Sequence, residues 1–528
     1  MRSIIAATPG VFLFLTGPLA WAAASVPTVV AGPSVIAGCT ADAATTQPGT
    51  YYPGSQAEPW VDGNPRAGFE GNFVAGFQQD RWSNGGSRTL GYASTLNDGA
   101  TWTVGAIPGI TLCTGGEFQR ATDPWVSFSP DGSVYFMTLA LDITTPPNRS
   151  GGDGKNAMLV SKSINGGQSW GPPMTLIRDD NPRFLNDKNT ITADPGDSRY
   201  VYAVWGRLQA PVGSVINPEN AIGLGFKGPA TFTRTTDAGA TWEPARKIYD
   251  PGANSQTIGN QIVVLPDGTL LNVFNEILNF KNSNGGAQFD SNLALVRSFD
   301  KGATWTRGPA LRGPKTQPMS QVRASSVMDP DAPAGTVSAV RTGDIIPQVA
   351  VNRRAGTAGY GHLYAVWQDA SFSGMRYDQI AFSRSTDGGQ TWSAPIRISQ
   401  TPTTVPEGNR QAFTATVRVA SDGTIGVSYY DFRYNTPDPA TLPTDYFLVS
   451  CKPAPGHDCT QAAHWSGSEQ RITPQPFDMR QAPVARGFFL GDYMGLAADA
   501  NGGFKALFVQ SRPAAGDAAD LFLSTVQP

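Results

Sequence analysis

The residues that could do chemistry in this chain stand at the start of a recurring unit, in which a strand, a Gly-containing turn and an apolar strand follow one another. They are Glu58, Asp123, Asp187-Lys188, Asn260-Gln261, Asp344, Asn409-Arg410 and Asp492-Tyr493. All but Asn260-Gln261 include an ionisable side chain, although only 15% of the chain is charged. Two carboxyl groups can act as acid and as base or nucleophile on a glycosidic bond, and neighbouring carboxylates push their pKa values apart. The pattern favours glycan chemistry over the competing interpretation that polar residues simply begin strands and cap turns.

The recurring unit predicts pairs of antiparallel strands along the whole chain. Its copies cover residues 60–78, 125–141, 190–205, 262–274, 348–367, 412–430 and 494–509. Several contain an explicit tight-turn sequence, such as Pro130-Asp131-Gly132 and Asp422-Gly423, which is typical of a short hairpin connection. The units therefore predict an all-β protein.

A second repeat, an octapeptide, follows five of these units. Its pattern is Ser/Thr-x-Asp/Asn-x-Gly-x-Ser/Thr-Trp, and its copies start at residues 95, 163, 235, 298 and 385. The Asp or Asn can bond backbone N–H groups two residues on, the Gly supplies a positive φ, and the Trp buries a large flat surface. Each copy is therefore predicted to be a structural turn between two strands, and the recurrence indicates a repeat architecture.

The octapeptide resembles the Asp-box, or BNR, repeat of the sialidase-like β-propellers, and the resemblance covers almost the whole chain. It implies a single propeller domain over residues 25–528, with each box joining the third and fourth strands of a blade on the face away from the active site. We favour seven four-stranded blades, with the six-bladed form as the alternative. Residues 28–36, rich in Val, could supply the strand that the last blade lacks and close the ring. The residues that start each unit would then converge at one mouth of the central channel.

The resemblance also implies roles for individual residues. The segment Gly491-Asp492-Tyr493-Met494-Gly495 is similar to the sialidase segment whose Tyr is the nucleophile. Gln261, or Asn260, stands where that family has the Glu that activates the Tyr. The following strand, which usually ends in a substrate-binding Arg, here ends in Glu276. The Phe/Tyr-Arg-Ile-Pro motif of the family is absent. These departures weaken the expectation of strict sialic-acid hydrolysis.

The leading hypothesis is a secreted glycoside hydrolase that resembles exo-α-sialidases and cleaves an extracellular glycan. Tyr493 is the predicted nucleophile, and one of Asp492, Asp123, Asp187 and Asp344 is the predicted acid or base. The predicted substrate contacts are Arg410 and Arg433, which would hold an anionic group, together with Glu58, Lys188, Gln261 and Glu276. The alternatives are a polysaccharide lyase acting beside a uronate carboxylate and a non-catalytic propeller that binds glycan or protein, because fold constrains reaction poorly.

Net charge and the amino-terminal sequence indicate which partners are disfavoured and where the protein is located. The net charge of −3 does not favour a surface that binds nucleic-acid phosphates. Arg2, an apolar stretch to about Ala20 and Ala22-Ala23-Ala24 predict a signal peptide over residues 1–24, with a secreted or periplasmic location. No later segment is apolar enough in sequence to span a membrane. We expect a monomer that needs no cofactor.

Four cysteines complete the sequence-based predictions. Cys451 and Cys459 flank a short loop and are expected to pair, which leaves Cys39 for Cys113. The alternative is a metal site. The sequence disfavours it, because the chain has only three histidines, His362, His457 and His464, and no Cys-x-x-Cys spacing.

Overall fold

The computed structural model describes residues 24–42, 47–142, 154–212, 227–281, 287–306, 311–312, 324–512 and 517–528. Within these ranges the regular structure is β-strand with short 3₁₀ helices. The predicted signal peptide lies outside the described residues except for Ala24, so it stays a prediction. The 3₁₀ helices are Leu112–Thr114, Ser371–Ser373, Glu407–Arg410, Ala462–Trp465 and Met479–Gln481.

The strands form a series of four-stranded units. The first two units are β2 (Tyr51–Gly63), β3 (Phe73–Trp82), β4 (Ser87–Thr95) and β5 (Thr103–Ala106), then β6 (Arg120–Phe128), β7 (Val134–Leu141), β8 (Asn156–Ser163) and β9 (Met174–Asp179). A pairing of β4 with β6, Ser87 with Ala121, joins these two units into one eight-stranded sheet. The next two are β10 (Phe184–Ala193), β11 (Val201–Gln209), β12 (Ala230–Thr235) and β13 (Arg246–Tyr249), then β14 (Gln256–Val264), β15 (Leu270–Lys281), β16 (Ala287–Ser298) and β17 (Leu311–Arg312). They are followed by β20 (Gln348–Val351), β21 (Leu363–Asp369), β22 (Gln379–Ser385) and β23 (Ile396–Arg397), and by β24 (Ala412–Val419), β25 (Ile425–Asp431), β26 (Pro443–Cys451) and β27 (Gln470–Arg471), with β28 (Phe477–Asp478) also paired to β26. The last unit is β30 (Gly495–Ala498), β31 (Phe504–Arg512), β32 (Asp517–Val526) and β1 (Thr28–Ala31).

These antiparallel sheets are arranged in a ring. The innermost strands contact one another in the order β2, β6, β10, β14, β20, β24 and β30, and β30 in turn contacts β2. Radial sheets around a central channel define a β-propeller, so the predicted all-β propeller fold is confirmed. The blade count and the domain bounds stay predictions, because the chain on both sides of β17 lies outside the described residues.

The octapeptides are turns, and each joins the third and fourth strands of its sheet, as predicted. In the copy that starts at Thr235, the Thr235 hydroxyl oxygen accepts from the N–H groups of Asp237 and Gly239, at 3.3 and 2.9 Å. Asp237 Oδ1 accepts from the N–H of Thr241 at 2.9 Å, four residues on rather than the two residues predicted. The reason is that Ala238 and Gly239 both have positive φ, 57° and 82°, and curl the chain back over the carboxylate. The five octapeptide tryptophans pack, partly buried, against apolar clusters, which supports their structural role.

The two ends of the described chain share the last sheet. Strand β1 pairs with β32 through Thr28 with Leu523 and Val29 with Phe522. The expectation that residues 28–36 contain the missing strand is therefore confirmed for residues 28–31. This pairing supplies the fourth strand of the last sheet, so the ring closes with strands from both ends of the chain.

Both predicted disulfides are confirmed. Cys39 is bonded to Cys113 and Cys451 to Cys459. The first ties the segment after β1 to the loop between the first two sheets. The second closes a short loop in the sheet of β24, where the octapeptide pattern is not found.

A small three-stranded sheet, which the sequence did not predict, covers part of the channel mouth. It consists of β18 (Val327–Met328), β19 (Ala339–Arg341) and β29 (Phe488–Phe489), and β19 runs parallel to β29. Arg341 lies opposite Phe489 in this pairing. The sheet therefore joins two connections that are far apart in sequence and carries Arg341 to the centre of the ring.

Candidate active site

A cavity of about 490 Å³ lies where the innermost strands converge. Six of the residues that the sequence singled out line it: Glu58, Asp123, Asp187, Lys188, Asp344 and Asp492. Its remaining wall is largely formed by the segment that contains β18 and β19, and by residues of the loop after β3. The size and the mixture of apolar and charged lining are those of a site for a small ligand.

Bulges in the innermost strands aim three of these side chains into the cavity. The pairing register shifts in β2, β6 and β10 at the positions that carry Glu58, Asp123 and Lys188. These residues have φ of 49°, 54° and 51°, a conformation that costs free energy for a residue other than glycine. A bulge re-aims a side chain and is common beside functional sites. The repetition of one strained conformation in three strands explains why their polar residues meet.

Lys188 lies at the centre of a buried ionic cluster. Its Nζ is 3.0 Å from Glu58 Oε1, 3.1 Å from Asp123 Oδ1 and 2.7 Å from Asp492 Oδ2. Gln78 donates a hydrogen bond to the other Glu58 oxygen. The ammonium group occupies the position among three carboxylates that a metal cation would otherwise take. Within the described residues, groups with the spacing of metal ligands occur at the two disulfides and not in the cavity.

Two arginines extend the cluster toward the rim. Arg341 binds Asp492 with two hydrogen bonds, from Nε at 3.1 Å and from Nη2 at 2.7 Å. Arg81 donates to Gln78 at 2.6 Å. The guanidinium carbons of Arg81 and Arg341 lie 4.7 and 4.3 Å from the centroid of the same Phe489 ring. Both guanidinium groups thus contact one aromatic ring, and both arginines line the cavity.

The cluster shifts the pKa values of Glu58 and Asp492 in opposite directions. Burial raises the pKa of Glu58 to about 7, because the charges of Asp123 and Asp492 add to the effect of burial and the Lys188 charge offsets only part of it. Burial alone would also raise the pKa of Asp492, but the charges of Arg341 and Lys188 outweigh it and hold this pKa well below the usual range. The surrounding carboxylates raise the pKa of Lys188 well above its ordinary value despite its burial. Lys188 is therefore a permanent cation, and Asp492 a permanent anion.

Asp187 and Asp344 differ from the other cavity carboxyl groups because they form no ion pair among the described residues. Both are partly exposed. Burial and the nearby Asp492 charge raise the pKa of Asp344 to about 6. Burial likewise raises the pKa of Asp187, with the Lys188 charge acting in the opposite direction. These two carboxyl groups are the ones in the cavity that a ligand can reach.

Tyr493 is placed differently from its predicted role. Its hydroxyl group donates to the Pro124 carbonyl oxygen at 3.1 Å, and its side chain is 3% exposed. The ring packs edge-on against Trp60 and Trp125. Tyr493 does not line the cavity, whereas its neighbour Asp492 does. In this geometry its hydroxyl group is part of the core.

Four of the predicted substrate contacts also lie outside the cavity lining. Arg410 donates to a backbone carbonyl at 2.9 Å, and Arg433 forms ion pairs with two neighbouring carboxylates. Gln261 donates to a backbone carbonyl at 2.9 Å, and Glu276 accepts from a buried tyrosine hydroxyl. Each of these side chains is held by groups outside the cavity, so none of the four is proposed to contact the substrate.

Sequence reasoning missed Arg341 and Arg486, which line the cavity. Arg341 stands three residues before Asp344, in a stretch with no strand-turn-strand pattern. Asp344 was predicted to belong to the site, and its position is the sequence signal that could have located Arg341. The sequence does not distinguish Arg81, near the end of β3, from other arginines near strand ends.

Comparison with known proteins gives few sequence relatives. No protein-family model matches the chain. A xyloglucanase from a Paenibacillus species is 25% identical over 250 residues, which are 46% of this chain and 20% of the xyloglucanase. The match thus spans only a fifth of that protein.

Solved structures with similarity to this chain have low sequence identity. A protein of unknown function from Dyadobacter fermentans has a TM-score of 0.43 at 13% identity and covers 95% of this chain and 99% of its own. The Penicillium chrysogenum α-L-arabinanase has a TM-score of 0.43 at 13% identity and covers 77% of this chain and 93% of its own. The leech intramolecular trans-sialidase has a TM-score of 0.42 at 12% identity, with 95% and 97% coverage.

Among the helices in the described ranges, none has the length and hydropathy that crossing a bilayer requires.

Proposed function

We propose that this protein is a glycoside hydrolase that cleaves an anionic sugar from the end of an extracellular glycan, in the manner of an exo-α-sialidase. The observation that carries the proposal is the cavity itself, where Asp187 and Asp344 are accessible beside fixed cations. Two carboxyl groups that a ligand can reach are what acid–base cleavage of a glycosidic bond requires. The similarity to a Paenibacillus xyloglucanase supports a glycan as the substrate class.

Asp344 is the proposed general acid. Its pKa is raised to about 6, so a useful fraction of the group carries a proton near neutral pH. Asp187 is the proposed base or nucleophile, because it is the other partly exposed carboxyl group of the cavity and the adjacent Lys188 charge offsets part of the rise in pKa that burial causes. Glu58 has a higher pKa, but it is 1% exposed and both of its oxygens accept hydrogen bonds from protein groups. It therefore serves to hold Lys188.

The arginines define the charge of the substrate. Arg81, Arg341 and Arg486 all line the cavity, and arginine forks suit a carboxylate group. They replace Arg410 and Arg433 as the groups proposed to hold an anion. A sugar acid, such as a sialic acid or a uronic acid, is the substrate class that fits them.

The polysaccharide-lyase alternative has less support. A lyase needs a base to remove the proton beside a uronate carboxylate, and the candidates were lysine and tyrosine. Lys188 keeps its proton because three carboxylates surround it. The Tyr493 hydroxyl group is buried and donates to a backbone carbonyl.

The test is a substrate panel with matched variants. The wild type is assayed on fluorogenic α-sialosides, β-glucuronides and α-arabinofuranosides, and on xyloglucan by release of reducing ends. Asp344→Asn and Asp187→Asn are expected to lower kcat by about 10²- to 10⁴-fold, the usual contribution of acid–base groups. Glu117→Gln, which alters an exposed carboxylate paired with Arg178 outside the cavity, is the control and should keep wild-type activity.

The pH dependence gives a second criterion. Because Asp344 must be protonated, kcat should fall as the pH rises through about 6, and Asp344→Asn should remove this limb from any residual activity. Turnover of no glycoside in the panel, together with measurable glycan binding, would instead identify a non-catalytic binding propeller. An unsaturated, ultraviolet-absorbing product would identify a lyase.

Export is part of the same proposal. Two disulfides are typical of proteins in oxidising compartments. Amino-terminal sequencing of protein recovered from the culture medium or periplasm should find Ser25 as the first residue.

A further inference from the structure

The loop between β3 and β4, residues 83–86, forms one side of the cavity. All four of its residues line the cavity, and among the described residues that do so Asn84 is the one with an amide side chain. The Trp82 N–H donates to the Gly86 carbonyl oxygen at 3.1 Å, so the loop is a tight turn. Gly85 and Gly86 have φ of 110° and 68°, which suit glycine. The turn therefore presents Asn84 to a ligand in the cavity.

Residues 47–50, the amino-terminal strap, lie behind this loop. The Ser83 N–H donates to the Thr50 carbonyl oxygen at 2.9 Å, and the Thr50 N–H donates to the Ser83 hydroxyl oxygen at 2.8 Å. Gly49 packs so closely that a Cβ there would lie 2.4 Å from Asn84 Oδ1. The strap does not line the cavity, so the oxygen end of the Asn84 amide faces away from the cavity.

Arg120, the first residue of β6, clamps the loop and the strap together. Its side chain is 0% exposed. Nη1 donates to Asn84 Oδ1 and to the Gly85 carbonyl oxygen, both at 2.7 Å. Nε donates to Gln47 Oε1 and Nη2 donates to the Pro48 carbonyl oxygen, both at 2.9 Å. These bonds fix the position of the loop in the cavity wall.

The clamp determines which way the Asn84 amide points. A guanidinium group has donors and no acceptor, so the amide oxygen must face Arg120 and the NH₂ group must point away from it. Within the described residues this NH₂ group donates no hydrogen bond, and Asn84 is partly exposed. By contrast, the Gln78 amide of the ionic cluster donates to Glu58 and to Thr122. Asn84 thus offers the cavity a neutral donor with a fixed direction.

The lack of charge on this donor indicates what it binds. The cavity arginines Arg81, Arg341 and Arg486 suit the carboxylate group of a sugar acid. A neutral amide NH₂ suits a neutral acceptor, and a sugar carries several hydroxyl oxygens. A site built to bond a substrate hydroxyl group discriminates strongly against an analogue that lacks it, because a polar group of the site is then left unpaired.

We propose that Asn84 is a substrate-binding residue whose amide NH₂ donates to a hydroxyl group of the bound sugar acid, and that Arg120 is the positioning residue that sets the direction of this donor. The substrate class rests on the proposed function above. Arg120 acts through Asn84, because it does not line the cavity.

Direct binding tests this role without requiring turnover. The Kd values of N-acetylneuraminic acid and D-glucuronic acid are measured by isothermal titration calorimetry at pH 7.5. For the acid that the wild type binds more tightly, Asn84→Ala should raise Kd about 3- to 10-fold, the contribution of one hydrogen bond. Asn84→Asp should raise it further, because a carboxylate oxygen replaces the donor. Asn501→Ala is the matched control and should keep the wild-type Kd, since it alters an exposed amide outside the cavity, between β30 and β31.

The methyl ester of the same acid distinguishes a hydroxyl group from the carboxylate as the bound group. If Asn84 binds a hydroxyl group, Asn84→Ala should weaken binding of the acid and of its ester by the same factor. An effect that is present with the acid and absent with the ester would overturn the hydroxyl assignment.

A double-mutant cycle tests Arg120. Arg120→Lys keeps the charge but cannot hold the loop and the strap at once, so it should raise Kd as Asn84→Ala does. The double variant Asn84→Ala/Arg120→Lys should bind no more weakly than Asn84→Ala, because the two residues act through one donor. Additive losses would overturn the positioning role. Melting curves establish that each variant is folded at the assay temperature.

The outcomes separate this role from the proposed reaction. The proposal is overturned if folded Asn84→Ala binds the acid with the wild-type Kd, or if the wild type binds neither acid. Binding that depends on Asn84, without cleavage of any glycoside, supports this role and contradicts only the hydrolase activity. On a glycoside that the wild type cleaves, Asn84→Ala should raise KM and leave kcat within about twofold of the wild-type value.

Discussion

Replacing Lys188 by methionine removes the ammonium group that three buried carboxylates share. Its Nζ lies 2.7 to 3.1 Å from Glu58, Asp123 and Asp492. Removing one partner of a buried ion pair costs about 3–5 kcal/mol, because a charge is left buried without compensation. Asp492 keeps its two hydrogen bonds from Arg341, so we expect a loss of about that size at pH 7.5 rather than a multiple of it.

The expected change in melting temperature follows from the size of the chain. An unfolding entropy of about 2.1 cal/mol/K per residue gives about 1 kcal/mol per degree for a chain of this length. Differential scanning fluorimetry at pH 7.5 should therefore show Lys188→Met melting about 3–5 °C below the wild type. Lowering the pH to 5 should reduce the deficit: the pKa of Glu58 is already raised to about 7 and the Lys188 charge opposes that rise, so without Lys188 this carboxyl group takes up a proton in the folded protein as the pH falls.

Lys505→Met is the matched control. Lys505 is also buried, but its ion-pair partner Asp98 is 57% exposed and stays hydrated after the change. Its deficit should be smaller and should depend less on pH between 7.5 and 5. If Lys188→Met melts no lower than Lys505→Met, or if its deficit is the same at both pH values, the ionic cluster does not have the energetic role argued here.

Three further predictions concern the same architecture. Burial raises the pKa of Glu58 from 4.5 to about 7, so the folded protein binds a proton there that the unfolded chain releases. This group therefore stabilises the wild type as the pH falls through about 7. Glu58→Gln should make the melting temperature depend less on pH between 5 and 8. Gly343→Ala would put a Cβ 1.8 Å from the Asp492 carbonyl oxygen, and we expect a loss of at least about 3 kcal/mol in a denaturant titration, at the upper end for overpacking, with loss of activity. The disulfide between Cys39 and Cys113 closes a loop of 74 residues, and its removal should cost about 4 kcal/mol by the loop-entropy relation, measured by denaturation of Cys39→Ala/Cys113→Ala.

The repeat architecture could be predicted from the sequence because its signals are local. Each octapeptide turn is held by hydrogen bonds within eight residues, and each strand pair is joined by a short turn, so residue type and spacing determine both. The convergence of Glu58, Asp123 and Lys188 could also be predicted, since a ring brings equivalent positions of successive inner strands together. The closure of the last sheet by residues 28–31 followed from counting strands.

The orientation of individual side chains could not be predicted in the same way. Tyr493 follows Asp492 directly, and the backbone path after Gly491, whose φ of 148° suits glycine, decides which of the two faces the cavity. The position of Arg341 depends on a parallel pairing between β19 and β29, in which Arg341 lies opposite Phe489, 148 residues later in the chain. Such a contact leaves no periodic pattern in either segment. The sequence therefore predicted the carboxylates of the site and Lys188, but not Arg341.

The pairing of β1 with β32 sets an order on folding during synthesis. Residues 28–31 leave the ribosome long before their partner strand, Asp517–Val526, has been made. Every nascent chain that lacks this partner has an unpaired β1 and an incomplete final sheet, both with exposed hydrogen-bonding edges. A chaperone that recognises extended apolar segments would have a binding site on this chain until β32 has been made.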